Sequence, residues 1–102
     1  MGNLDQTVVD ARALADAAGI IRAVNHKLRQ SIIALLKKEG KMTVTQLYVK
    51  LRLEQSVTSQ HLAILRKSNV LSTQREGKFI YYSLNNERIE KLNKCIDALI
   101  AS

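Results

Sequence analysis

The sequence predicts a mainly α protein with a small β component (α+β), its elements in the order ααααββα. Three observations predict it. Apolar residues recur at helical spacing through most of the chain, Pro is absent and Gly numbers only four, and the periodicity turns to strand-like alternation only over residues 70–84. At 102 residues, 46% hydrophobic and 25% charged, the chain suits one domain, residues 1–102. Its core is small enough that association between copies would help to stabilise it.

Residues 5–24 read as a first helix, with Leu14, Ala17, Ile21 and Val24 spaced 3, 4, 3 along one stripe. Asn25 is expected to cap a second helix in which Leu28, Ile32, Leu35 and Leu36 share a face and Gly40 supplies the stop. Lys37 and Lys38 suit that helix's negative end. Thr43 and Gln46 form a capping box for a short third helix with Val44, Leu47 and Leu51 inward, broken at Arg52 and Leu53. A fourth helix spans about Gln55–Lys67. Val70–Arg75 and Lys78–Leu84 then read as a hairpin closed at Glu76 and Gly77. Asn85 or Asn86 caps a last helix in which Ile89, Leu92, Ile96 and Leu99 repeat the 3, 4, 3 spacing.

The net charge of +7 is unevenly placed. Residues 22–78 hold twelve Lys or Arg against three acids, whereas residues 1–21 are slightly acidic and residues 79–102 are neutral. A basic middle of this kind is what a polyanion-binding surface needs, since each neutralised phosphate releases condensed counterions; a merely soluble basic surface is the plainer alternative.

At about 100° per residue, the fourth helix separates into two faces. Val57, Thr58, His61, Leu62, Ile64 and Leu65 fall on one side, and Ser56, Ser59, Gln60, Ala63 and Lys67 on the other. Hydroxyls and an amide can exchange hydrogen bonds with base edges, Ala63 permits close approach, and Lys67 suits a phosphate. Gln60 is the candidate for direct base readout, and Gln55 lies near the helix's positive end. A polar face is common on surface helices. Here, though, a short helix and a tight turn precede it and a hairpin with Arg75 and Lys78 at its tip follows, which is the layout of a winged helix-turn-helix.

Three segments carry a family resemblance. Glu54-Gln55-Ser56-Val57-Thr58-Ser59-Gln60-His61-Leu62-Ala63-Ile64-Leu65-Arg66 is similar to the recognition helix of the ArsR-like family of bacterial winged-helix repressors. Arg75-Glu76-Gly77-Lys78-Phe79-Ile80-Tyr81-Tyr82-Ser83-Leu84 resembles the family's wing, and Asn25-His26-Lys27-Leu28-Arg29 the start of its second helix. The resemblance spans roughly Asn25 to Leu84. It implies a homodimer that binds an inverted-repeat operator in double-stranded DNA, usually as a repressor released by a metal or another signal.

The family's metal-sensing residues have no counterparts here. Arsenic sensors place two cysteines where Thr43 and Thr45 stand, and hydroxyls are poor ligands for soft metals. Zinc sensors use Asp and His on the last helix, where residues 85–95 contain no His. Cys95 is the single cysteine, so an oxidant-sensing pair could form only between subunits. Arg52 stands where the family often has Gly in the turn, which implies local strain, and Glu54 stands where Ser usually caps the recognition helix.

His61 faces the apolar side of its helix and His26 begins one, so both read as structural residues rather than ligands. Cys95, about 60° from Leu92, reads as a small buried hydrophobe, the alternative being contact with its symmetry mate. Leu14, Ala17 and Ile21 with Ile89, Leu92, Ile96 and Leu99 are the expected dimer seam. No nucleophile, base and orienter occur at recognisable spacing, so no catalytic set is expected, nor any cofactor or metal. A secretory signal is not apparent and no apolar run reaches about 18 residues, so a cytoplasmic location without membrane contact is expected. The competing function is a protein-interaction module that keeps the winged-helix frame with weak or non-specific DNA binding.

Overall fold

Eight elements follow one another in the computed structural model, which describes the backbone of residues 3–101 and side chains at positions 12, 14–94 and 97. They are α1 (Asn3–Val24), α2 (Lys27–Glu39), β1 (Lys41–Thr43), α3 (Val44–Leu51), α4 (Gln55–Lys67), β2 (Leu71–Glu76), β3 (Phe79–Leu84) and α5 (Asn86–Ala101). The helices and the hairpin stand in the expected order, and one three-residue strand, β1, is added to them.

Local chemistry explains most boundaries. The Thr43 hydroxyl accepts from the Gln46 N–H while Gln46 accepts from the Thr43 N–H, so the capping box at the start of α3 is complete. Gly40 ends α2 at φ 91°, a conformation closed to most side chains, and its N–H donates to the Leu36 carbonyl. The Asn85 side chain accepts from the Arg88 N–H and caps α5. At α2 the cap is His26 rather than Asn25: its Nδ1 accepts from the Leu28 N–H at 3.1 Å, a role that a ring nitrogen in extended backbone can fill as well as an amide oxygen. Arg52 leaves α3 in the left-handed region, φ 56° and ψ 43°. The strain expected at this turn is therefore present.

The core forms where the helical stripes converge. Ile20 and Ala23 of α1, Ile32 and Leu36 of α2, Leu47 of α3, and Leu62 and Leu65 of α4 are buried together with Met42, Val70 and Leu71. One inward assignment is corrected: Ile64 is 42% exposed, because Leu62 and Leu65 define the centre of the buried face and Ile64 falls at its margin. The sheet is antiparallel with order β1-β3-β2. Its register sets Met42 and Thr73 opposite Tyr82, and Leu71 opposite Leu84, so those five residues share the face turned to the core. The hairpin connection lies at Gly77-Lys78, one residue later than the sequence suggests, since Glu76 still pairs with Phe79. Gly77 has φ 63° and Lys78 is not in that region, the Gly-first pattern of a two-residue hairpin.

Candidate nucleic-acid interface

The α3–α4 unit places the expected reading face at the surface. Thr58, Leu62 and Leu65 are buried on the inner side of α4. Gln55, Ser56, Ser59, Gln60, Ala63 and Lys67 are all exposed. Burial on one side locks the rotation of the helix about its axis, and the polar side chains opposite are presented as a fixed set. Glu54 occupies the N-cap position but makes no side-chain cap bond, so the first N–H groups of α4 are open to an outside acceptor, and a phosphate suits that position electrostatically.

The wing is stiffened at its tip. The Arg75 Nε–H donates to the Gly77 carbonyl at 3.1 Å, and the Lys78 ammonium lies 5.4 Å from the centre of the Phe79 ring. Both cationic residues are exposed. Lys41 pairs with Glu76 at 2.6 Å and sits over the Tyr81 ring, which ties the short β1 to the far edge of the hairpin. β1 thereby braces the wing against the helical core, a contribution invisible in the alternation of residues 70–84.

Behind the exposed polar face of α4, the His26 and His61 rings meet at 4.6 Å between centroids. Since the His26 Nδ1 accepts a hydrogen bond, its neutral form carries the proton on Nε2. Burial, and then the neighbouring His26 and Arg29 charges, lower the His61 pKa from its usual 6.5. At neutral pH His61 is thus uncharged and serves as packing between α2 and α4. Among the described residues no group of three or more His, Cys, Asp and Glu converges to hold a metal ion. The Thr43 hydroxyl, at one of the two positions where the resemblance would place a soft-metal ligand, is engaged in capping.

The stripe residues divide. On α1, Leu14 and Ile21 are 41% and 46% exposed, whereas Ala17 is buried within the protomer. On α5, Ile89 is half-buried and Leu92 packs against the core. The side chains of Cys95, Ile96 and Leu99 lie outside the described residues. Arg88 of α5 approaches Asp16 of α1 at 3.7 Å, so the two terminal helices lie side by side. No described helix is long and apolar enough to cross a membrane. Arg29 of α2 and Arg88 of α5 are far apart in sequence, and only the fold brings them to one groove beside α1 and the end of α4.

Comparison with known proteins agrees with this architecture. Residues 26–73 match the model of the family described as bacterial regulatory protein, arsR family. The transcriptional repressor PagR of Bacillus anthracis is 35% identical over 91 residues, which span 89% of this chain and 91% of PagR. Its crystal structure superposes with a TM-score of 0.73, covering 84% of this chain and 98% of that one. The transcriptional repressor SdpR of Bacillus subtilis is 38% identical over 65% of this chain and 72% of its own. An ArsR-like regulator from Rhodococcus, at 18% identity and a TM-score of 0.81 over 86% of this chain and 82% of that one, shares the fold.

Proposed function

Because this chain belongs to the arsR family of bacterial regulatory proteins, whose members are DNA-binding transcriptional regulators, we propose that it is a repressor that binds an inverted-repeat operator as a homodimer. The observation that carries the proposal is the division of α4 into a buried side and an exposed polar one, backed by a braced wing. Two copies related by a twofold axis would set their α4 helices into successive major grooves about 34 Å apart. Gln60 reads a base edge, Ser56, Ser59 and Ala63 lie against the groove, and Gln55, Lys67, Arg75 and Lys78 grip phosphates. The exposed Leu14 and Ile21 together with Ile89, Ile96 and Leu99 would form the seam between subunits, with Ala17 and Leu92 supporting it from within each protomer. The family frame extends over residues 1–102 as a single unit in this reading, acting in the cytoplasm without a cofactor.

Binding of fluorescent genomic fragments, measured by anisotropy across a salt series, tests the proposal. Wild-type protein should select particular fragments at moderate salt and lose affinity steeply as salt rises. Gln60→Ala should relax preference at one base pair by about 1–3 kcal/mol, while Lys67→Ala should weaken binding to all sequences alike and reduce the salt slope by about one. Equal affinity for every fragment, or unchanged DNA affinity in the double variant, favours the protein-interaction module instead.

A further inference from the structure

An open groove of about 660 Å³ lies between α1, the C-terminal end of α4 and the start of α5. Arg22, Arg29, Lys67 and Arg88 border it, against the single carboxylate of Asp16. Lys67 answers the negative end of its own helix, but Arg29 and Arg88 have no comparable duty. Their Nε atoms are buried, and neither has a hydrogen-bond partner among the described residues. Asp16 reaches Arg88 only at Nη2, at 3.7 Å, too far for a charge-assisted hydrogen bond. A buried guanidinium donor left without an acceptor is costly. The acceptor that fits an Nε–H beside an Nη–H is a planar or tetrahedral oxyanion, held by two parallel bonds.

We propose that this groove binds a small anionic effector bearing a carboxylate or phosphate group, with Arg29 and Arg88 as its clamps. The groove stays accessible in the proposed dimer. Ala15, Gly19 and Arg22, which line it, lie roughly 120° around α1 from Leu14 and Ile21. Lys67 belongs both to the groove and to the outer face of α4. An anion seated there takes up a positive charge that a DNA phosphate would otherwise neutralise, so effector and DNA weaken one another's binding by the same factor. That coupling rests on the DNA-binding proposal; occupancy of the groove does not.

Isothermal titration of the DNA-free protein with inorganic phosphate and with citrate, at constant ionic strength in chloride buffer, separates the two. At least one probe should bind saturably at one site per protomer, and the stronger of the two identifies the head group. Arg88→Gln, and Arg29→Lys, which keeps the charge but loses the fork, should each weaken that binding at least about tenfold without lowering the melting midpoint in the absence of the anion. If Arg29→Lys does not fold, Arg88→Gln alone decides. Absence of saturable binding, or binding that the folded variants retain, overturns the proposal. The same probe added to a DNA complex at fixed ionic strength should release DNA. Variants that lose DNA affinity while wild-type protein binds neither probe would assign the two arginines to the DNA backbone and overturn the effector site. Normal anion binding by a protein that selects no DNA would leave the groove standing and remove the operator proposal instead.

Discussion

Replacing Thr58 with Val should make this protein more stable. Thr58 is fully buried on the inner side of α4, and its Oγ1 has no hydrogen-bond partner among the described residues. Its own N–H already donates to the Glu54 carbonyl at 3.0 Å, the acceptor that a helical threonine hydroxyl most readily shares. The hydroxyl therefore carries an uncompensated desolvation cost of about 1–3 kcal/mol. Val keeps the branched shape and nearly the same helix propensity, and it exchanges the hydroxyl for a methyl that is worth up to about 0.8 kcal/mol when buried. A net gain of about 1–2 kcal/mol moves the melting midpoint of a chain this size up by about 4–8 °C. Thr58→Ala removes the hydroxyl but also leaves a void, so it should lie near wild type or below. Thermal unfolding followed by circular dichroism, with all three proteins at one concentration because association shifts the midpoint, measures the difference. DNA affinity should not change, since Thr58 faces away from the reading surface. A Thr58→Val protein that melts at or below wild type would show that the hydroxyl finds an acceptor, and the argument from its isolation would be wrong.

Leu62→Ala, at a fully buried position, should cost about 2–5 kcal/mol in denaturant unfolding, whereas Ile64→Ala, one turn-face away and 42% exposed, should cost under about 1 kcal/mol; equal losses would contradict the placement of Ile64. Glu54→Ser gives α4 the side-chain cap it lacks and should add about 1 kcal/mol of stability, read as a raised melting midpoint. The lowered His61 pKa means the folded chain binds fewer protons than the unfolded one below about pH 6.5. This contribution to stability is full above that value and is lost as pH falls through the lowered folded value. Urea unfolding at a series of pH values should show the loss, and His61→Gln should flatten it.

What could be read from the chain and what could not differ in range. The capping box, the Gly40 stop, the two faces of α4 and the alternation of the hairpin depend on residues within about a turn or two of one another, where spacing determines geometry. β1 escaped because three residues between a helix stop and a capping box are too few to show any period; Lys41–Thr43 become a strand only because Tyr81–Ser83 lie beside them. His26 took the cap from Asn25 for a similar reason. Both residue types can accept from an N–H, and the tilted ring contact of His26 with His61 from a distant helix accompanies the choice. The division of the apolar stripes was also out of reach. Leu14 and Ala17 share a helical face in sequence, yet only one of them meets the core.

The same distinction bears on regulation. The readout chemistry proposed for α4 is local and so shows in the spacing of Ser56, Ser59, Gln60 and Ala63, whereas the groove draws Arg29 from α2, Lys67 from α4 and Arg88 from α5. A regulator whose signal were a soft metal would need ligands such as paired cysteines, and with one cysteine this chain cannot supply a pair within a protomer. Its surplus is cationic instead, and part of that surplus is turned away from the α4 reading face. Charges that served only DNA would gain most by standing beside the groove-reading helix, because their attraction falls off within a Debye length of about 10 Å. Arg29 and Arg88, with Nε donors buried and without a partner among the described residues, are placed for a ligand that enters the protein rather than for one that lies across it. Lys67, at the end of α4, is the residue through which such a ligand would reach the DNA. A Lys67→Gln protein should therefore bind DNA more weakly, bind the anion less tightly, and show less effect of either on the other; undiminished coupling in that variant would place the link elsewhere in the helix.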